Sequence, residues 1–139
     1  MTAPSLESRI ARLEAIEDIR KLKALYCTYC DDNYNPDKLA TLFTEDAIWH
    51  AAHRGRMQGR DAIRSFFAGI SAKIGFAAHL VMNDKIEVDG DRGTGRWRML
   101  MASMEDFNGT ERAVWALGDY DEVYVREAGQ WRIKSLFVT

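Results

Sequence analysis

Along the first quarter of the chain, apolar residues recur three and four apart; along its second half they alternate with polar ones. Between Ser5 and Cys30 the apolar stripe runs Leu6, Ile10, Leu13, Ile16, Ile19, Leu22, then Leu25, Tyr26 and Tyr29, which predicts one long helix. Ser5 is placed to cap it, and Glu7 in the first turn suits the positive end of the helix dipole. Because the steps are mostly threes, the stripe drifts around the helix, and its first turns are expected to touch a neighbouring subunit or to fray. Asn35-Pro36-Asp37 restarts a helix, with Asn35 as cap, Pro36 at the first helical position, and Leu39, Leu42 and Phe43 as its buried face. Ala47 to Ala51 reads as a strand and Gly55 to Gly59 as its return. Gly59 to Ile70 reads as a third helix with Ile63, Phe66, Phe67 and Ile70 inward. After it come four strands, Ala77 to Val88, Gly93 to Glu105, Glu111 to Arg126 and Gln130 to Val138. The turns Asp89-Gly90-Asp91, Asn108-Gly109 and Ala128-Gly129 are short enough to make these strands antiparallel neighbours. Helices first and a meander after them predict an α+β domain. Its sheet of four to six twisted strands curls around the helices and leaves a cavity at the wide end.

The 139 residues suffice for a single domain, 1–139, and are too few for two. A hydrophobic fraction of 47% with 29% charged residues is that of a globular protein. The net charge of −2 sets up no field that would attract nucleic acid or an anionic membrane. No apolar run is long enough to span a bilayer, and the N-terminus lacks a basic-then-apolar leader. With two cysteines three residues apart and no leader, the expected compartment is the reducing cytoplasm.

Candidate chemistry concentrates where the first helix runs out, at Tyr26-Cys-Thr-Tyr-Cys-Asp-Asp-Asn-Tyr34. A redox Cys-x-x-Cys opens a helix, where the dipole lowers a thiol pKa. Cys27 and Cys30 close one, so they read as small apolar packing residues. His50-Ala-Ala-His53 would add two zinc ligands, but its spacing is not that of a finger. No metal site is expected. Asp31 is different. A carboxylate at a helix C-terminus faces the negative end of the dipole, and a partner must offset that cost. Downstream, His79 stands in an apolar strand, and alternation places His79, Val81 and Asn83 on one face. Taken alone, His79 would be a core histidine and Asp31 a solvated carboxylate. Brought together in an apolar bowl they would make a base. Trp49, Met99, Met101, Trp115 and Phe137 are the candidate lining of that bowl, whereas Arg96 and Arg98 are expected to face solvent or a subunit contact.

These residues, together with Leu42-Phe-Thr-Glu-Asp-Ala-Ile-Trp49, Gly59-Arg-Asp-Ala-Ile63, Gly95-Arg-Trp97, Gly118-Asp-Tyr120 and Gly129-Gln-Trp-Arg-Ile133, resemble the SnoaL-like branch of the NTF2-like superfamily from about Ile16 to Ile133. Within it the resemblance is to dehydratase-like members such as bile-acid 7α-dehydratase, scytalone dehydratase and hexachlorocyclohexane dehydrochlorinase. It implies a cone-shaped α+β barrel of three N-terminal helices packed on a curved, mostly antiparallel sheet, assembled as a homodimer or homotrimer. It also implies cofactor-free elimination by an aspartate–histidine dyad, falling on Asp31 and His79, with a pocket tyrosine on Tyr26. Tyr26 and Asp31 lie about 140° apart around an ideal helix, so sharing a pocket requires the helix to end or bend between them. The expected function is that of a cofactor-independent lyase or isomerase on a small apolar ring, polyketide-, steroid- or terpenoid-like. The alternative is a non-catalytic module that binds a small apolar ligand or serves as a partner subunit. A salt link from Asp31 to Arg20 or Lys23, in place of His79, would favour that alternative.

Overall fold

The computed structural model describes residues 2–139. Helix α1 spans Leu6–Asp31 and starts where Ser5 predicts, its hydroxyl accepting from the Ser8 N–H at 3.1 Å. The drift of its apolar stripe has a visible consequence: Leu6, Ile10 and Leu13 are exposed, whereas Ala15, Ile19, Leu22, Tyr26, Cys27 and Cys30 are buried. The first turns are helical, not frayed. Helix α2, Pro36–Ala40, carries the Asn35 cap, which accepts from the Lys38 N–H at 3.1 Å, with Pro36 at its start. Helix α3, Arg60–Ser71, buries Ile63, Phe67 and Ile70. Phe66 is half-buried, with its ring centroid 4.5 Å from that of Trp49.

Six strands form one sheet in the order β2-β1-β6-β5-β4-β3, with β1 Phe43–Ala51, β2 Gly55–Gln58, β3 Ile74–Asp89, β4 Arg92–Phe107, β5 Thr110–Glu127 and β6 Gln130–Val138. Asn108-Gly109 and Ala128-Gly129 are two-residue turns with positive φ at both positions, the geometry that matches the twist of the flanking strands. The pairing of β1 with β6 is parallel and joins strands far apart in sequence, so no turn motif announces it. The expected α+β architecture is present, helices packed on a curved, mostly antiparallel sheet, which is unclosed with β2 and β3 as its edges.

Two irregularities set which side chains face inward. In β3 the register shifts between Met82 and Lys85, with Asn83 at φ 57. Ala77, His79 and Val81 face the concave side before this bulge, and Ile86 and Val88 pack on the core after it. Asn83 therefore does not share the face of His79 and Val81. In β6 a second shift skips Lys134, so Ile133 and Leu136, three residues apart, are both fully buried.

Between α1 and the concave face lies a polar cluster that no apolar pattern indicates. Lys23 and Glu122 are both 0% exposed and form an ion pair through Nζ and Oε1. The Tyr124 hydroxyl donates to the other Glu122 oxygen and accepts from Trp97 Nε1 at 3.0 Å. Gly95 makes room for this ring, because a Cβ there would lie 2.8 Å from Tyr124. Lys23 Nζ also sits 3.3 Å from the centroid of Tyr120 and 4.5 Å from that of Tyr26. Arg20 pairs with Asp84 at 3.0 Å and Lys23 with Glu122, so neither of these two is joined to Asp31.

Candidate active site

Between α1, α3 and the concave sheet lies a cavity of about 680 Å³, within the usual range for small-molecule sites. Its inner wall includes Tyr26, Tyr34, Trp49, Phe67, His79, Met99, Met101 and Tyr120. Asp31, the last residue of α1, reaches sideways to the edge strand β3, where its Oδ1 lies 2.7 Å from His79 Nδ1. The same carboxylate accepts the His79 backbone N–H at 3.0 and 3.2 Å. That N–H lies on the open edge of the sheet, so Asp31 satisfies an edge donor and holds the imidazole with one group. The His79 side chain is 5% exposed and the Asp31 side chain 35%. The bowl thus holds the imidazole, while the carboxylate stands outside it at the sheet edge.

No bend in α1 is needed to bring Tyr26 and Asp31 to one site. Tyr26 faces the cavity itself, and Asp31 acts on it through His79. The Tyr26 hydroxyl accepts from Trp49 Nε1 at 3.1 Å. Burial above all, followed by the neighbouring Cys30 and Tyr120, pushes its pKa well above 10.0. It stays a neutral phenol, able to donate its proton in a hydrogen bond.

The candidate lining residues divide. Trp49, Met99 and Met101 are buried and face the cavity. Trp115 borders it at the rim, with 70% of its surface exposed. Phe137 does not line the cavity; it is 42% exposed and meets His50 edge-on at 5.7 Å. The skipped Lys134 is the reason, because it turns Leu136 inward and Phe137 to the opposite face. His50 and His53 hold no metal cluster; among the described residues no three His, Cys, Asp or Glu side chains converge as metal ligands.

Tyr34 was missed by the sequence reading. Its ring stacks on Phe67 at 6.0 Å and meets His79 edge-on at 5.7 Å, and its hydroxyl donates to Met101 Sδ at 3.7 Å. It enters the cavity because Asn33 and Tyr34 both adopt left-handed backbone, φ 54 and 49, reversing the chain after α1. Asn33 is the one local hint of that turn. Burial also raises the Tyr34 pKa. Arg54 and Glu105, at the mouth, were missed as well.

The Cys-x-x-Cys pair is buried and unbridged. Burial pushes the Cys27 thiol from 9.0 up to about 11 against the opposing influence of Lys23, and burial raises Cys30 too. Tyr26, Tyr120 and Tyr124 shift in the same direction, burial being the main cause for each. The folded state therefore keeps protons that an unfolded chain releases from pH 9.0 upward, so stability is intact below that pH and declines as the pH rises towards 11. Native protein is expected to resist iodoacetamide at about pH 8 and to lose its circular dichroism in the alkaline window together with the rise of tyrosinate absorbance. Rapid alkylation of the native form would show that the thiols are accessible after all.

Residues 11–136 match the SnoaL-like domain, and the chain belongs to that family. Its architecture is the NTF2-like α+β fold. Among solved structures, a protein from Novosphingobium aromaticivorans provisionally named scytalone dehydratase is 25% identical, with 91% of this chain and 83% of that one covered and a TM-score of 0.81. Rv3472 from Mycobacterium tuberculosis, of unknown function, is also 25% identical, covering 91% and 72%, with a TM-score of 0.79. The hexachlorocyclohexane dehydrochlorinase LinA-type3 from Novosphingobium barchaimii is 19% identical, covering 95% and 90%, at 0.84, a likeness of fold. No match is found among curated proteins.

Proposed function

We propose that this protein is a cofactor-independent lyase acting on a small apolar ring substrate, with His79 as general base. The observation that carries the reading is the 2.7 Å contact from Asp31 to His79 Nδ1, on an imidazole that lines an aromatic and methionine-rich cavity. With Nδ1–H held by the carboxylate, Nε2 keeps its lone pair and has no protein partner among the described residues. Nε2 takes a proton from a C–H of the substrate, and the electron pair of that bond becomes the new π bond. The leaving group departs with its own bonding pair, a halide as the anion and a hydroxyl as water once the His79 imidazolium returns to it the proton taken from carbon. Asp31 stabilises the imidazolium that results. Tyr26 donates a hydrogen bond to the developing oxyanion or the departing oxygen. The names dehydratase and dehydrochlorinase among the similar structures denote eliminations of this type. An isomerase differs only in where the proton returns.

One observation favours the non-catalytic alternative: by accepting the His79 backbone N–H, Asp31 has a structural reason to sit where it does. Incubation in deuterium oxide with a panel of cyclic ketones and alcohols separates the two. The enzyme is expected to exchange an activated C–H or to release the unsaturated product, both read by mass spectrometry. Compounds that bind in the cavity yet show neither outcome would leave a binding module. Self-association is part of the same reading, supported by a convex sheet face that exposes Phe76, Leu80, Met82 and Leu117.

A further inference from the structure

The mouth of the cavity carries a charge pair in an otherwise apolar setting. Arg54, in the turn between β1 and β2, places Nη2 3.7 Å from Glu105 Oε1, beyond direct hydrogen-bond reach. Ser103, buried at 3%, donates its hydroxyl to that same Glu105 oxygen at 3.0 Å and anchors the carboxylate in place. Arg54 side-chain nitrogens make no hydrogen bond among the described residues, whereas Arg98 and Arg126 pair directly with carboxylates at 3.1 and 2.8 Å. A guanidinium carries five donors, so this one has capacity to spare. The Tyr34 hydroxyl feels Arg54 and Glu105 with opposite sign, and its ring lies edge-on to His79. Mouth and dyad therefore belong to one chamber.

We infer that Arg54 is a specificity-determining residue: it receives an uncharged carbonyl oxygen of the substrate at the cavity mouth, and Glu105 keeps carboxylates out. The sign of the charges decides between the two kinds of oxygen. A carboxylate at Arg54 would lie beside Glu105, whose negative charge already offsets that of the guanidinium. A ketone or ester oxygen takes the guanidinium donors without that repulsion. The substrate class is then an apolar ring bearing a neutral carbonyl. This rests on the cavity being the ligand site proposed above, and not on His79 acting as a base.

Three naphthalene probes test it by fluorescence titration: 2-acetylnaphthalene, 2-ethylnaphthalene and 2-naphthoate. Wild type is expected to bind the ketone about tenfold more tightly than the hydrocarbon, the worth of one solvent-accessible charge-assisted hydrogen bond, and to bind the naphthoate more weakly than the ketone. Arg54→Met should erase the preference for the ketone and leave the hydrocarbon unchanged, a selectivity that a general loss of structure cannot produce. Arg54→Lys should retain part of it, and Glu105→Gln should strengthen naphthoate selectively. Absence of ketone binding to wild type, tighter binding of naphthoate than of ketone, or an unchanged preference in Arg54→Met would each overturn the inference. Wild-type protein that shows neither deuterium exchange nor product release, with the Arg54-dependent preference intact, would refute the elimination reading and spare this one.

Discussion

His79→Ala is expected to lower turnover on any accepted substrate by about 10²–10⁴-fold while shifting the melting temperature by no more than a few degrees. The two halves of that expectation have separate causes. The imidazole lines the cavity, so its removal enlarges an existing space and opens no new void in packed core. The contact of Asp31 with the position-79 backbone N–H does not involve the side chain and survives in the variant. What disappears is the base itself. Steady-state kinetics beside a thermal melt reads both quantities. A variant that unfolds well below wild type would make His79 a structural residue, and the elimination mechanism would lose its proton acceptor. Asp31→Asn complements it: the amide can still accept from the backbone N–H but cannot stabilise an imidazolium, so activity should fall further than stability.

Lys23→Met is expected to cost about 3–5 kcal/mol of folding stability, the usual penalty for breaking a buried ion pair from one side. Both partners are fully buried, so nothing screens the carboxylate left behind. Tyr124 would remain as its donor, insufficient to replace a full positive charge. Against a typical total of about 5–15 kcal/mol, the loss is a large part of what holds a domain of this size folded. The double variant Lys23→Met/Glu122→Leu should recover much of it, because two apolar side chains leave no orphaned charge. Urea denaturation of the four members of the cycle measures the coupling. A single-variant cost below about 1 kcal/mol would show that the pair contributes no more than a surface contact. The pair bears on the site as well, since Lys23 packs against Tyr26 and Tyr120, both in the cavity wall.

Local chemistry accounts for what was legible in the chain. Ser5, Asn35-Pro36 and the glycine-containing turns mark ends and reversals through contacts a few residues long, and the elements begin and end close to where those signals lie. The cost of a carboxylate at a helix C-terminus pointed to a partner for Asp31, and His79 stood out as a polar residue in an apolar run. Strand alternation failed where a bulge intervened: at Asn83 in β3 and at Lys134 in β6, the latter moving Phe137 out of the site. A bulge is set by how two strands register against each other, and neither strand alone encodes it.

From the sequence alone came the order of elements, the α+β class, the turn positions and the identity of the two groups in the candidate dyad, all written in short-range periodicity and capping. Tertiary structure decided the rest. The parallel pairing of β1 with β6, the burial of Lys23 against Glu122, the entry of Tyr34 and the gathering of Arg54 with Glu105 at the mouth all join residues distant along the chain. Their energies come from shared burial and from charges meeting in space, and neither quantity exists until the helices have closed over the sheet.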